Sequence, residues 1–376
     1  MADLKLSVAV RYHPSREPAA KALAAQCAEL SPLLVPDPDP AGPPSPLRAA
    51  GRAWAACPDA ATHHLVLQDD VVLAKDFAAH LKAAVRQRPA HGLALYVERD
   101  SPRNSYLFRR AAALGTPWAA LSRFEHTPAP GFLLPAADAR ALAARLARVP
   151  DAFRDDEVVT AFCRERGVRV VALVPSLVDQ GDLPGVAGDD GHGERHAAAF
   201  ADHAGIDPSF WAAGAAEGVW PGLPYTLELR DSRCLIRFAT GEPVDNPFGW
   251  YWHDWCDLLG VDADEVAEEW AAYMEETSLY APVSVAGLVF PYAAALEVWA
   301  AGYILGFDVS SSRPGGGPPG PVSPVLRACV ASWLDGGLSR RDEARLDFYG
   351  RVELADTCVA GFRAGCAATT LVATLE

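Results

Sequence analysis

The chain has 376 residues, half of them hydrophobic, which is enough to bury more than one core and excludes a disordered chain. Its formal net charge of −15 argues against a partner made of nucleic acid or anionic lipid. Only four lysines occur (Lys5, Lys21, Lys75, Lys82), so arginine carries nearly all the positive charge.

The first part of the chain alternates strand and helix patterns, as a mostly parallel sheet flanked by helices requires. Leu4 to Tyr12 reads as a strand and Arg16 to Leu30 as the helix after it. Leu33 to Val35 is a short second strand that runs into a Pro-rich loop containing Asp37 and Asp39. A helix over Leu47 to Cys57 leads to the apolar strand His63 to Gln68, which ends in Asp69 and Asp70 and is followed by Val71-Val72-Leu73. Phe77, Leu81 and Val85 recur at helical spacing in the helix Phe77 to Arg88, and Gly92 to Val97 is the next strand. Further helices are expected over Asp138 to Arg148 and Asp155 to Arg166, the latter stopped by Gly167 and feeding a strand from Val168 to Val174.

Around Ala212 to Pro224 the chain turns rich in Gly and Pro, which divides it into domains over 1–212 and 213–376. The second is expected to be mainly helical. Asn246-Pro247 reads as a helix start and Gly260 as its end, with Phe248, Trp252, Trp255 and Leu259 on one core-facing side. Asp262 with Glu265 forms a capping box ahead of Val266 and Trp270. Ser339 with Asp342 is read as opening a last long helix. The most apolar window, Ala281 to Phe307, is broken by Pro291 and Glu297, so a buried helix pair is expected there and no membrane span. The eight cysteines show neither Cys-x-x-Cys pairs nor zinc-like grouping, and no signal peptide opens the chain, so a reducing, cytoplasmic setting is expected.

Several nucleotide-binding classes are excluded, because the chain has neither a Gly-x-Gly-x-x-Gly after its first strand nor a Gly-x-x-x-x-Gly-Lys-Ser/Thr loop. The first strand runs instead into Arg11-Tyr12-His13-Pro14-Ser15-Arg16. Two guanidiniums beside a helix start suit phosphate oxygens, and they equally suit a surface helix cap. Acids at the carboxyl end of a strand in an α/β sheet point into the crevice where such sheets bind ligands, so Asp69 and Asp70 suit a Mg²⁺ or Mn²⁺ ion that holds a diphosphate. Asp155-Asp156-Glu157 fills the first turn of a helix, which the helix dipole favours with or without a catalytic duty. The loop Glu98 to Asn104 and Tyr106 lines a ligand site or is simply solvated.

In combination, four of these places resemble the GT-A class of nucleotide-sugar glycosyltransferases, over roughly residues 1–204. Gln68-Asp69-Asp70 resembles the metal-binding Asp-x-Asp motif, with an amide at its first place. Pro130-Gly131-Phe132-Leu133-Leu134 resembles the glycine loop beside the acceptor. Asp155-Asp156, followed by Arg164-Glu165-Arg166-Gly167, is similar to the acidic pair that opens the catalytic helix. His192, after Pro175-Ser176-Leu177-Val178-Asp179-Gln180, resembles the late histidine that touches metal or diphosphate.

The resemblance implies a GT-A-like, Rossmann-type fold followed by the helical domain. It also implies Mn²⁺ or Mg²⁺ on Asp70, Asp69 and His192, with Asp156 as general base beside Asp155. Arg11, Arg16, Asp37, Asp69 and Gly131 would bind a nucleoside-diphosphate sugar. The acceptor would be a small molecule, a glycan or a peptide, and the helical half would complete its cleft or form a homodimer interface. A degenerate GT-A-like domain serving as a non-catalytic binding or scaffold subunit is the alternative, and a metal-dependent diphosphate hydrolase a third.

Overall fold

The computed structural model describes residues 3–43, 45–151, 153–181, 195–212, 225–238, 249–280, 292–312 and 322–375. In chain order the main elements are β1 (Leu6–Tyr12), α1 (Glu17–Gln26), β2 (Leu33–Pro36), α2 (Pro46–Ala55), β3 (His63–Gln68), β4 (Val71–Leu73), α3 (Phe77–Gln87) and β5 (Gly92–Ala94). They continue with α4 (Asn104–Leu114), β6 (Trp118–Ala120), β7 (Gly131–Pro135), α5 (Ala136–Leu146), α6 (Asp155–Arg166), β8 (Val170–Leu173), β9 (Val178–Gln180) and α7 (Ala201–Ala204). Then come β10 (Tyr225–Arg230), β11 (Arg233–Phe238), β12 (Trp250–Tyr251), α8 (Trp252–Trp255) and α9 (Ala263–Tyr280). The chain ends with α10 (Tyr292–Ser311), α11 (Pro324–Gly337), α12 (Arg340–Glu343) and α13 (Phe348–Leu375).

Two compact units result. One comprises Met1–Glu98 and Thr116–Val219; the other comprises Arg99–Gly115 and Trp220–Glu376. The segment around Asn104 and Tyr106 is therefore neither a solvated loop nor part of the first unit. It is the helix α4, in which Asn104, Tyr106, Arg109 and Arg110 are buried within the second unit.

The first unit is an α/β domain built on a seven-stranded sheet in the order β2-β1-β3-β7-β5-β8-β6. Three of its six pairings are parallel (β1–β2, β1–β3, β5–β8) and three antiparallel (β3–β7, β5–β7, β6–β8), so the sheet is mixed and not mostly parallel as the alternation suggested. The departure is caused chiefly by β7, which runs opposite to both β3 and β5. Nothing in the composition of Gly131–Pro135 carries strand direction.

Both faces of the sheet are covered, which is why its strands are apolar at nearly every position. Val8, Val10, Leu65, Leu67, Leu133 and Leu173 share a core with Leu23, Phe77 and Leu81 from the helices. On the other face, Trp54 of α2 meets Phe132 edge-on at 6.0 Å and His64 at 5.7 Å. His64 is fully buried: Nε2 donates to the Ala53 carbonyl at 2.9 Å, and Nδ1 lies 3.1 Å from Ser7 Oγ. Burial holds its pKa below the ordinary value, only partly offset by that carbonyl.

The second unit is largely helical, but it also holds an antiparallel sheet β10-β11-β12 that the sequence did not reveal. Its β10–β11 hairpin turns on Asp231 and Ser232, both in the left-handed region at φ 49° and 60°, the geometry of a two-residue hairpin turn. Ser232 Oγ donates to Asp342 Oδ2 at 2.7 Å, and Ser339 Oγ donates to the same oxygen at 2.8 Å. Ser339 Oγ also accepts from the Asp342 N–H at 3.2 Å and so caps the one-turn α12, while the long helix begins later, at Phe348. The expected helix ending at Gly260 is replaced by β12, α8 and a 3-10 turn over Cys256–Leu259, and its proposed start at Asn246 lies outside the described residues. Asp262 does cap α9, accepting from the Asp264 N–H at 2.9 Å, with Val266 and Trp270 buried below.

Helices α10 and α13 approach so closely that their glycines interlock. A Cβ on Gly302 or Gly306 would overlap the carbonyl oxygens of Cys358 and Phe362; one on Gly361 or Gly365 would overlap those of Trp299 and Tyr303. Arg110 Nε donates to Asp308 Oδ2 at 2.6 Å and the Tyr106 hydroxyl donates to the same atom at 2.7 Å, tying α4 to α10. All eight cysteines are buried free thiols. Among the described residues no helix is long and apolar enough to cross a membrane.

Two outcomes are expected. Gly306→Val should destabilise the second unit by about 3 kcal/mol in urea unfolding, because the overlap is with backbone and the helices must part. For His64, the unfolded state binds a proton that the folded state resists, so stability is lost as pH falls through about 6.5, by at most about 1.4 kcal/mol per pH unit. His64→Gln should flatten that limb in thermal melts from pH 7.5 to 5.

Candidate functional site

Strands β1, β2 and β3 lie side by side and parallel, so the residues at their carboxyl ends meet at one edge of the sheet. Arg11 on β1 is in register with Gln68 on β3 and Val35 on β2. Asp37, directly after β2, donates its backbone N–H to the Tyr12 carbonyl at 2.9 Å. Asp69 and Asp70 follow β3. The first residue of β7, Gly131, pairs with Leu67, and the Gln68 N–H bonds to Pro130 O at 3.1 Å. A Cβ at Gly131 would meet Val178 Cγ2 at 3.0 Å and Leu67 Cδ2 at 3.4 Å, so the strand is closely packed at this glycine.

The acids at this edge are held by arginines. Arg16 Nη1 lies 3.3 Å from Asp69 Oδ1 and 3.5 Å from Asp70 Oδ2, with all three side chains largely buried. The His13 backbone N–H reaches Asp69 Oδ2 at 3.3 Å. Burial pushes the Asp69 carboxyl above its ordinary pKa and the neighbouring Asp70 adds to this, against the pull of Arg16 and the His13 N–H. Asp70 takes a 3.4 Å hydrogen bond from Gln180 Nε2 on its Oδ2, and its carbonyl accepts from the Gly181 N–H at 2.7 Å. These contacts come from the β4–β9 ribbon, whose register pairs Val71 with Gln180. The other carboxylate oxygen, Asp70 Oδ1, is buried with no hydrogen-bond partner among the described residues.

At the start of α6 the two aspartates part company. Asp155 is buried and forms an ion pair with Arg11 Nη1 at 2.6 Å; the same nitrogen donates to the Pro46 carbonyl at 2.9 Å. Asp155 is thereby fastened to the strand beside Gln68. Asp156 is gripped at both oxygens by Arg154, at 3.2 and 3.1 Å, and accepts from the Glu157 N–H at 2.9 Å. Burial would raise its carboxyl, but Arg154, His126 and that N–H outweigh burial, leaving its pKa below the ordinary value.

Asp37 is fully engaged as well: Arg48 Nε and Nη2 donate to its two oxygens at 2.9 and 3.1 Å, holding its pKa down. Arg48 also reaches the Asp39 carbonyl at 2.8 Å, which pins the Pro-rich loop. The structure thus gathers Arg11, Arg16, Asp37, Asp69, Asp70, Gly131 and Asp155 around one edge. His192 lies outside the described residues.

The sequence alone assigns no role to three contributors: His13 and Gln180, which stand within runs quoted for other residues, and Arg48. For Arg48 a weak signal exists, because a cation in the first turn of a helix opposes the dipole and calls for an acidic partner. His13 acts through its backbone and Gln180 through a pairing distant in sequence, so neither has a local signature. Among the described residues no three His, Cys, Asp or Glu side chains form a ready cation site. No family model matches the chain, and no curated protein matches its sequence.

Removing Arg11 leaves Asp155 buried and uncompensated. Arg11→Met should therefore cost about 3–5 kcal/mol in denaturant unfolding, and Arg11→Met with Asp155→Asn markedly less.

Proposed function

We propose that the first unit is a GT-A-like domain that transfers a sugar from a nucleoside diphosphate to an acceptor hydroxyl. The observation that carries this reading is the meeting of Arg11, Arg16, Asp69, Asp70 and Asp155 at the carboxyl edge of adjacent parallel strands. Sheets of this kind bind ligands there.

A divalent cation fits the donor set. Asp70 Oδ1 is a buried oxygen that no donor among the described residues satisfies, and Asp69 and Asp70 offer hard carboxylate oxygens. Two carboxylates with water and substrate phosphate are the usual surroundings of Mg²⁺, and Mn²⁺ accepts similar oxygen donors. Asp70 and Asp69 would hold the ion, joined by His192. When bound, it neutralises the charge that develops on the leaving diphosphate.

Arg11 and Arg16 present guanidiniums to the phosphates, and Asp37 with its Arg48 partner shapes the neighbouring loop. Asp156, kept ionised by Arg154, takes the acceptor's hydroxyl proton. The oxygen so freed attacks the anomeric carbon, the carbon–oxygen bond to the diphosphate breaks, and the nucleoside diphosphate leaves with the electron pair; the configuration inverts. Residues around Gly131 border the acceptor, a small molecule, glycan or peptide. The buried free thiols suit a reducing, cytoplasmic compartment.

A second reading, a non-catalytic binding or scaffold subunit, is favoured by Arg16 lying on both acids and by the amide at Gln68. A thermal-shift and calorimetric screen of nucleoside-diphosphate sugars with Mn²⁺ separates the two. Once the screen has supplied the donor, Asp156→Asn should lower turnover by roughly 10²–10⁴-fold with donor binding intact. Asp70→Asn should instead abolish Mn²⁺-dependent donor binding. Full turnover in Asp156→Asn removes that residue as the base; no binding of any nucleotide removes the transferase.

A further inference from the structure

The adjacent acids Asp69 and Asp70 expose only 9% and 13% of their side chains, and Arg16 Nη1 sits 3.3 and 3.5 Å from them. Two carboxylates buried side by side are costly without a counter-charge, and Arg16 supplies it. A divalent cation would draw on the same two carboxylates, with Asp70 Oδ1 next to the oxygens that Arg16 approaches. A guanidinium held between them puts a positive charge within a few ångströms of any incoming cation, where like charges repel strongly at reduced dielectric.

We propose, building on the diphosphate-sugar reading above, that Arg16 and the divalent cation compete for the space between Asp69 and Asp70, so that cation and diphosphate bind only as a coupled pair. Without nucleotide, Arg16 neutralises the acids and keeps the cation weakly bound. With a diphosphate present, Arg16 leaves the carboxylates and directs its planar fork to phosphate oxygens, a geometry that guanidinium favours. The negative diphosphate then balances both positive charges. Because coupling between two ligands is reciprocal, the nucleotide tightens the cation by the factor with which the cation tightens the nucleotide. Arg16 thus makes the site empty or doubly filled, and protects the acids from idle cations.

The test is a Mn²⁺ titration without nucleotide, followed by the electron paramagnetic resonance signal of the free hexaaqua ion, on wild type, Arg16→Gln, Arg16→Lys and Asp70→Asn. Arg16→Gln should bind Mn²⁺ roughly 10- to 100-fold more tightly, and Arg16→Lys should stay within about threefold of wild type, because the charge is kept. At saturating Mn²⁺, calorimetry with UDP, GDP and ADP should show that Arg16→Gln weakens whichever diphosphate binds wild type, by about tenfold or more. These opposite signs are not produced by a merely structural role. If Asp70→Asn loses Mn²⁺ while Arg16→Gln binds it as wild type does or more weakly, competition is wrong and the cation site stands. If Asp70→Asn binds Mn²⁺ like wild type, or neither wild type nor Arg16→Gln binds it, the cation reading itself fails and this inference with it.

Discussion

The edge of the sheet formed by β1, β2 and β3 depends on the neutralisation of buried acid. Asp69, Asp70 and Asp155 lie in surroundings too dry for bare carboxylates, and Arg11 and Arg16 make that placement possible. Both guanidiniums issue from one short segment, the end of β1 and the turn after it. Through them the first strand organises β3 on one side and the start of α6 on the other. The same segment donates the His13 N–H to Asp69, so backbone and side chains act together.

This arrangement explains why the acids behave differently although some of them stand next to one another in sequence. Asp69 is raised by burial and Asp156 is lowered by its arginine and the helix N–H, while Asp70 keeps one oxygen without a donor among the described residues. The proposed cation ligands and the proposed base would need such separate surroundings. Of the ion pairs that create the separation, the buried ones leave a charge uncompensated when one partner is lost.

The second unit uses another principle. The close contact between α10 and α13 rests on glycines that let backbone meet backbone, not on charge. A separate buried network, in which Arg110 and Tyr106 converge on Asp308, draws in α4, a helix whose sequence lies between strands of the first unit. The chain therefore crosses between the units more often than one boundary near residue 212 would require.

Much of the first unit was legible in the residues themselves. Alternating apolar runs and helical spacing located β1, β3, α3 and α6 within a few residues, since those periods follow from local geometry. The acids after β3 and at α6, and the arginines after β1, stood out because strand ends and helix starts have their own chemistry. The α4 segment was misleading, because Arg109 and Arg110 look solvated until a distant Asp308 and Trp333 bury them. The hairpin at Asp231-Ser232 was misleading too, because neither residue is the glycine usually found at positive φ. The order of residues by itself determined most of the strand and helix segments of the first unit, and which side chains at their ends carry charge. Only the tertiary structure decided that β7 runs antiparallel, that Arg16 rests on both acids, that Arg11 takes Asp155, and that Arg154 takes Asp156. Those pairings join residues far apart in the chain as well as near neighbours. They are selected by burial and by the free energy of leaving a charge unpaired, quantities that exist only once the chain has folded.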